Sequence, residues 1–276
     1  MPDQVHAAFA AAGEQADIVL LDGMQMAGAI GDLVASERRL VIAGGDGTIS
    51  CAASVLAGTD TELAILPLGT LNHFARDSGI PADLTAAAAV AVRGRATKVD
   101  TVTVGDRVCI NNASLGIYPV LVRSRDTLQK DGLSKRVSAL PAAWAALTKA
   151  HDLHLELDTG QGPRPLVTPL LFIGNNTYSL DGGSVGKRAS LDAGELCVLA
   201  VRHRPRLALA WFALRTIVGK SSPAQDFAVI DSCATIRLSA VQTNIQVAID
   251  GEVKQMPLPL EFTIQPRSLN LVVDPA

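Results

Sequence analysis

The chain has few cysteines, and no two of them stand in a short motif. Cys51, Cys109, Cys197 and Cys233 stand far apart in apolar stretches, with no CxxC and no metal-ligand spacing. That excludes a disulfide framework or a zinc module and leaves buried free thiols as the reading. Histidine offers no metal pair either: His151 and His154 are three apart, but HDLHLELD alternates as a strand does, which sends the two rings to opposite faces. Positive charge is not in excess, since the net charge is -3 and the pI about 5.9, so the field of a nucleic-acid binder is missing. No apolar run approaches the roughly 18 residues of a spanning helix, and MPDQVHAAF carries an acid where a secretory signal is basic. Together these absences predict a cytoplasmic chain with no nucleic-acid partner and no membrane span.

What is present is an ordinary globular composition, 48% hydrophobic and 18% charged over 276 residues, enough for one large or two modest domains. From Val5 to about Ser78 helical and strand patterns alternate, with apolar strands expected at Ile18 to Leu21, Arg39 to Ala43 and Glu62 to Leu66. That rhythm predicts a parallel α/β layer. Asp83 is placed to cap a further helix, Leu84 to Arg93, ending at Gly94. After Lys98 strands dominate: TKVDTVTV, a Gly105-Asp106 turn, RVCINNAS, LHLELDTG, LVTPLLFIGNN, GELCVLAVR, ATIRLSA, IQVAIDGEV and LEFTIQP. Many short strands between turn signals predict a β-sandwich or barrel. Two helix-like segments interrupt them, Leu133 to Ala150 with Trp144 and Leu207 to Lys220 with Trp211. The boundary falls near Thr97 to Asp100, giving an α/β domain of residues 1–98 and a strand-rich domain of residues 99–276, whose last few residues are free to return to the first.

Two segments look built for chemistry. In VIAGGDGTIS a strand delivers the chain to Gly44, Gly45, Asp46 and Gly47, and a helix opens near Thr48. Such a junction points backbone N–H groups and a helix N-terminus at one spot, and the missing Cβ atoms let an anion come close. The simpler reading is a tight turn with Asp46 as N-cap, but three glycines exceed what a turn needs. LAILPLGTLNHFARDSGIP repeats the plan, with Gly69, Thr70 and Asn72 after a strand that ends at Pro67. Two such loops at the carboxyl ends of neighbouring parallel strands would face one crevice, where open α/β sheets bind ligands.

GGDGT followed about twenty residues later by PLGTLNHFA resembles the catalytic domain of diacylglycerol kinases, sphingosine kinases and soluble bacterial lipid kinases. The resemblance continues in order through INNASLGIYP, FIGNN, KRASLDAGEL and IDGEV, nearly the whole chain. It implies an α/β nucleotide domain of the NAD-kinase and diacylglycerol-kinase type and a β-sandwich lipid domain, with ATP in the cleft between them. It further implies that Gly44, Gly45, Asp46, Gly47 and Thr48 line the nucleotide phosphates with Gly69, Thr70 and Asn72. Asp22, after DIVLL, falls where the family has another nucleotide contact. Phosphoryl transfer to an alcohol needs charge stabilisation, in-line positioning and a group to take the hydroxyl proton. The resemblance places that base at AIDGEV, so Asp250 and Glu252 are the candidates, with Asp46 as the third catalytic residue. Asp-Gly between apolar runs is equally a hairpin turn.

SLDAGEL matches a loop where relatives hold magnesium through backbone carbonyls and an aspartate, which nominates Ser190, Asp192 and Glu195. Here Ala193 stands at the usual aspartate position, Tyr118 at another, and His73 at a third. Relatives also open with a strand and an Asn-Pro loop, whereas this chain begins near the helix that follows, so the sheet is expected to lack its first strand.

RHRPRLALAWFALRTIVGK and KDGLSKRVSALPAAWAALTK join basic residues to apolar, Trp-bearing stretches. They read either as an interfacial docking surface for anionic headgroups or as amphipathic helices covering the sandwich. The expected activity is therefore ATP- and Mg2+-dependent phosphorylation of diacylglycerol or a related lipid alcohol. It goes with transient contact at the inner membrane surface and leaves room for a homodimer. Two other readings stand beside it: an NAD kinase, which shares GGDGT, and a nucleotide- or lipid-binding regulator without kinase activity.

Overall fold

The computed structural model describes residues 1–116, 152–178, 188–201 and 227–275. Tyr118, both helix-like segments, both tryptophans and both basic stretches lie outside the described residues. The chain divides into two compact units, one of residues 1–111, 190–194 and 265–276, the other of residues 112–189 and 195–264.

The first unit opens with helix α1 (Pro2–Ala12) and α2 (Met26–Val34), then β1 (Arg39–Gly44), α3 (Asp46–Leu56), β2 (Glu62–Pro67), α4 (His73–Asp77), α5 (Leu84–Arg93), β3 (Arg95–Val104) and β4 (Arg107–Cys109). β1 and β2 pair in parallel from Arg39 opposite Glu62 to Gly44 opposite Pro67. β2 is buried at every position, as a central parallel strand must be, while β1 is buried only at Leu40. Asp83 caps α5 as the sequence suggests, its Oδ1 accepting from the Ala86 N–H at 2.9 Å.

The strand expected at Ile18 to Leu21 does not form. Val19 and Leu20 are 68% and 77% exposed, and the segment is irregular. An apolar run becomes a strand only where a ladder takes its backbone groups. β1 has β2 on one side and no described strand on the other.

Arg39, at the start of β1, ties this unit together. Its Nε donates to Glu62 Oε2 at 2.7 Å, and Nη1 donates to the Ala91 and Val92 carbonyls at 2.7 and 3.1 Å. Nη2 donates to the Gly94 carbonyl at 3.1 Å. One guanidinium thus satisfies the orphan carbonyls at the end of α5 and neutralises a buried carboxylate.

The first unit runs on to Asn111 rather than stopping at Lys98, because β3 and β4 form a hairpin through Val104 opposite Arg107. It also takes back two distant segments, and Asp100 explains how. This carboxylate is 1% exposed, and its Oδ2 accepts from Gly194 N–H and its Oδ1 from Arg267 N–H, both at 2.7 Å. Its own N–H donates to the Leu191 carbonyl at 2.8 Å. The last strand, β14 (Leu260–Val273), belongs to the second unit up to Ile264 and to the first thereafter, where Asn270 and Leu271 pair in parallel with β2. The sequence reading ended this strand at Pro266. The chain instead passes through a left-handed Arg267 (φ 53°) and resumes its ladder.

The second unit is antiparallel. One sheet has the order β10 (Phe227–Cys233), β9 (Leu196–Val201), β8 (Leu170–Asn175), β5 (Asn112–Gly116), β12 (Asn244–Ile249) and β13 (Glu252–Pro257). The other strands are β6 (Leu153–Asp158), β7 (Arg164–Thr168) and β11 (Thr235–Ser239), with β11 pairing the first part of β14 and also β6. β10 has no counterpart in the sequence reading. Its register shifts between Val229 and Asp231, and that bulge breaks the alternation that announces a strand.

Candidate active site

The GGDGT loop is the junction between β1 and α3. Gly45 is the N-cap of α3 in extended backbone and offers no side-chain acceptor, so Asp46 is the first helical residue and not the cap. The N–H groups of Asp46, Gly47 and Thr48 therefore open the helix without an intrahelical partner, and Ile49 is the first to donate, to the Gly45 carbonyl at 3.0 Å. Three adjacent donors at the positive end of an 11-residue helix can receive an anion.

The PLGTLN loop lies directly against it. A Cβ on Gly69 would stand 2.4 Å from the Gly45 Cα, and one on Gly45 would stand 3.1 Å from the Gly69 Cα. The two glycines are in backbone contact, and no side chain fits between them. A Cβ on Gly44 would meet Thr48 at 2.5 Å, whereas one on Gly47 would meet nothing within 4 Å. The four glycines thus divide: Gly44, Gly45 and Gly69 are required by packing, and Gly47 keeps open space beside the free N–H groups.

Asn72 shapes the second loop. It is left-handed at φ 47°, its Oδ1 accepts from Gly69 N–H at 3.0 Å, and its Nδ2 donates to the Pro67 and Gly69 carbonyls at 3.1 and 2.9 Å. Those bonds give the amide a loop-forming role. Asp46 links the loops, since its Oδ1 accepts from Phe74 N–H at 3.3 Å, near the start of α4. Thr70 is exposed at the tip and Thr48 half-buried. His73 Nδ1 lies 3.0 Å from Arg76 Nη2.

Asp22 does not join this constellation through any hydrogen bond seen here. It is exposed, and its Oδ1 accepts from the Met24 and Gln25 N–H groups at 3.0 and 3.1 Å, a local turn that leads into α2.

In the second unit Asp250 and Gly251 form the two-residue turn of the β12–β13 hairpin, with φ 46° and 88° and Ile249 opposite Glu252. Both positive φ values mark the type I′ geometry for which Asp-Gly is suited. The turn separates the two acids that an extended strand would have aligned. Asp250 is anchored to Asn112: its N–H donates to the Asn112 carbonyl at 2.9 Å, and its Oδ1 accepts from Asn112 N–H at 3.1 Å. Glu252 is 66% exposed and paired to Lys254 at 2.9 Å.

The three metal candidates make two separate hydrogen-bonded pairs. Ser190 Oγ donates to Asp192 Oδ1 at 2.5 Å, and Asp192 N–H donates back to Ser190 Oγ at 3.0 Å. The Glu195 carboxylate accepts instead from the Thr177 hydroxyl. Among the described residues no group of three or more His, Cys, Asp or Glu could hold a metal ion. Ala193 supplies no side-chain oxygen in this loop, and the Asp192 and Glu195 carboxylates each accept from a hydroxyl.

Sequence reasoning passed over the asparagines. Asn176 is fully buried and left-handed at φ 67°; its N–H donates to the Glu195 carbonyl at 2.9 Å and its Nδ2 to Asn175 Oδ1 at 3.2 Å. The doublets in INNAS and FIGNN were the available signal. As expected from the sequence, the four cysteines form no disulfide; burial pushes the Cys197 thiol upward, and burial followed by the Asp231 charge pushes Cys233 up to about 11.

Residues 1–104 match the family described as Diacylglycerol kinase catalytic domain. A protein of Cronobacter sakazakii named "Probable lipid kinase YegS-like" is 41% identical over 83 residues, 29% of this chain and 28% of its own length. One of the same name from Chromohalobacter salexigens is 31% identical over 189 residues, 66% of this chain and 59% of its own length. The chain thus matches less than two thirds of either relative. The crystal structure of a diacylglycerol kinase from Bacillus anthracis shares the fold, with a TM-score of 0.69 at 16% identity, covering 97% of this chain and 88% of that one. With its two glycine loops set at the ends of parallel strands, the segment of residues 1–104 belongs to the family of diacylglycerol kinase catalytic domains.

Proposed function

We propose that the protein is an ATP-dependent lipid kinase that transfers the γ-phosphoryl group of MgATP to the hydroxyl of diacylglycerol or a related lipid alcohol. The observation that carries this reading is the contact between Gly45 and Gly69, which brings the second loop against three unpartnered helix N-terminal N–H groups. The phosphates lie over Gly47, where no side chain intervenes, and Asp46 braces the two loops. Magnesium arrives with the nucleotide as part of the substrate.

The acceptor's oxygen attacks the γ-phosphorus, the bond to the β-phosphate oxygen breaks, and ADP leaves. Asp250 takes the hydroxyl proton. Its left-handed turn and bond to Asn112 hold the carboxylate fixed, whereas Glu252 is exposed and engaged with Lys254. Basic, Trp-bearing stretches of the sequence support transient contact with an anionic membrane surface.

A panel of lipid alcohols incubated with labelled MgATP tests the reading. Phosphorylation by the wild type and its loss in Asp250→Asn are expected. ATP binding with no lipid turnover would overturn it in favour of a nucleotide- or lipid-binding regulator.

A further inference from the structure

β1 is an end strand: β2 pairs with it on one side, and no described strand does on the other. Which of its backbone groups face outward follows from the ladder. Glu62 N–H donates to the Arg38 carbonyl at 2.7 Å and Leu68 N–H to the Gly44 carbonyl at 3.0 Å, so the even-numbered residues turn toward β2. Alternate residues of a strand bond to alternate sides, which leaves Arg39, Val41 and Ala43 with both N–H and C=O directed to the open edge. Nothing in β1 guards that edge. RLVIAG has no proline, pairs with β2 without a bulge and carries one charge, and the Arg39 guanidinium is drawn inward to Glu62 and the α5 carbonyls.

Exposed apolar side chains gather in the same part of the chain. Of the ten large hydrophobic residues exposed among the described residues, six lie just before β1 or in it: Val19, Leu20, Leu21, Met24, Leu33 and Val41. Ala16 and Ile18 pack on the same core as Ile42 of β1, which holds the start of that stretch to this unit. Val41, 36% exposed, is the middle one of the three outward-bonding residues. The open edge is therefore a row of backbone donors and acceptors symmetric about an exposed valine.

We propose that this edge pairs with the same edge of a second copy of the chain, as an antiparallel ladder whose two-fold axis passes at Val41. In that register the two Val41 residues lie opposite each other, and Arg39 of each copy lies opposite Ala43 of the other, every pair exchanging two hydrogen bonds. The occupant is a second copy because the row is its own complement. A shift of one residue would set outward groups against inward ones, and only the register centred on Val41 pairs all three outward residues. The side chains agree with it: Arg39 meets the small Ala43 and Arg38 meets Gly44, so no like charges face each other. A parallel addition would leave a fresh open edge after each copy, whereas the two-fold ladder closes both edges and stops at a dimer. The ladder ends at Ala43 and includes none of the GGDGT residues, so the proposal is independent of the kinase reading.

Even with the apolar stretch that precedes it, a six-residue strand falls short of the roughly 20–30 residues a side of a standard interface, so Kd is expected on the order of 10 µM. Sedimentation of the full chain at concentrations well below and well above that value is expected to show a monomer passing to a dimer and to nothing larger. Val41→Lys sets two like charges at the axis and is expected to weaken the dimer at least tenfold. Cross-linking reads the register directly. Cα atoms of a hydrogen-bonded pair stand about 5.5 Å apart, within reach of a disulfide, so mild oxidation is expected to couple Val41→Cys into a covalent dimer. The two Ala43 positions lie roughly 13 Å apart along the ladder, and Ala43→Cys is expected to stay at the background set by the four native cysteines. A monomer at every concentration, oligomers beyond the dimer, a dimer that Val41→Lys leaves intact, or equal cross-linking in the two cysteine variants would overturn the inference. Should Val41→Lys fail to fold, the cysteine pair decides alone.

Discussion

Gly69→Ala and Gly47→Ala should separate folding from ligand binding within a single motif. A methyl on Gly69 would stand 2.4 Å from the Gly45 Cα and 2.6 Å from Asn72 Oδ1, so the two loops must part. Overpacking of this kind costs about 1–3 kcal/mol, and displacing Asn72 adds the bond from Gly69 N–H, about 1 kcal/mol. The expected loss is therefore about 2–4 kcal/mol. Gly47 is an exposed residue of the first turn of α3 with nothing within 4 Å of its missing Cβ. Alanine there should leave stability unchanged or raise it by up to about 1 kcal/mol, through helix propensity. Yet a methyl at Gly47 enters the space assigned to the phosphates, and ATP should bind at least tenfold more weakly. Urea unfolding with matched m-values and calorimetric titration with MgATP measure the two quantities. A stable Gly69→Ala, or a Gly47→Ala that loses stability while keeping ATP affinity, would refute the division of roles.

Arg39→Met should cost about 3 kcal/mol in urea unfolding, because it strands the Glu62 carboxylate and the α5 carbonyls, and adding Glu62→Leu should recover part of the loss. Asp46→Asn keeps an oxygen for Phe74 N–H and should retain wild-type stability, whereas Asp46→Ala should lose about 1 kcal/mol and lipid phosphorylation with it. Asp250→Asn preserves the left-handed turn and should lower kcat at least a hundredfold with KM for ATP unchanged, while Glu252→Ala should change stability by less than about 1 kcal/mol. With the Cys233 thiol raised from 9.0 to about 11, the folded state keeps a proton that the unfolded chain has lost. Stability should therefore fall as pH rises from about 9 toward 11, and Cys233→Ser, followed by urea midpoints across that window, should lessen the dependence, with Cys197 supplying the remainder.

The glycine loops were legible in the sequence because their constraint is local: a strand, a run of residues without Cβ, and a helix. The hairpin at Asp250 and Gly251 was legible for the same reason, though its consequence for Glu252 was not, since only the turn's two positive φ values decide where the second acid goes. The strand at Ile18 to Leu21 was misread because apolar residues state a preference for burial and say nothing about a ladder partner. Asp22 and Asn72 were read as ligand contacts, yet both carboxylate and amide are used by neighbouring backbone. Short polar side chains favour such local bonds, and sequence spacing does not reveal them. Asp100 went unnoticed because its partners, Gly194 and Arg267, are more than ninety residues away.

The return of residues 265–276 to the first unit has a consequence for the order in which the chain can fold. During synthesis, β1 and β2 emerge from the ribosome long before the last part of β14, and until it arrives β2 is open on the side that Asn270 and Leu271 later occupy. A two-stranded parallel ladder with both edges free is marginal and prone to pair with other chains. The two glycine loops are therefore expected to set only after residues 265–276 have emerged. Expressed alone, residues 1–111 should aggregate where the full chain folds, and their recovery depends on supplying the C-terminal strand, in cis or as a separate peptide.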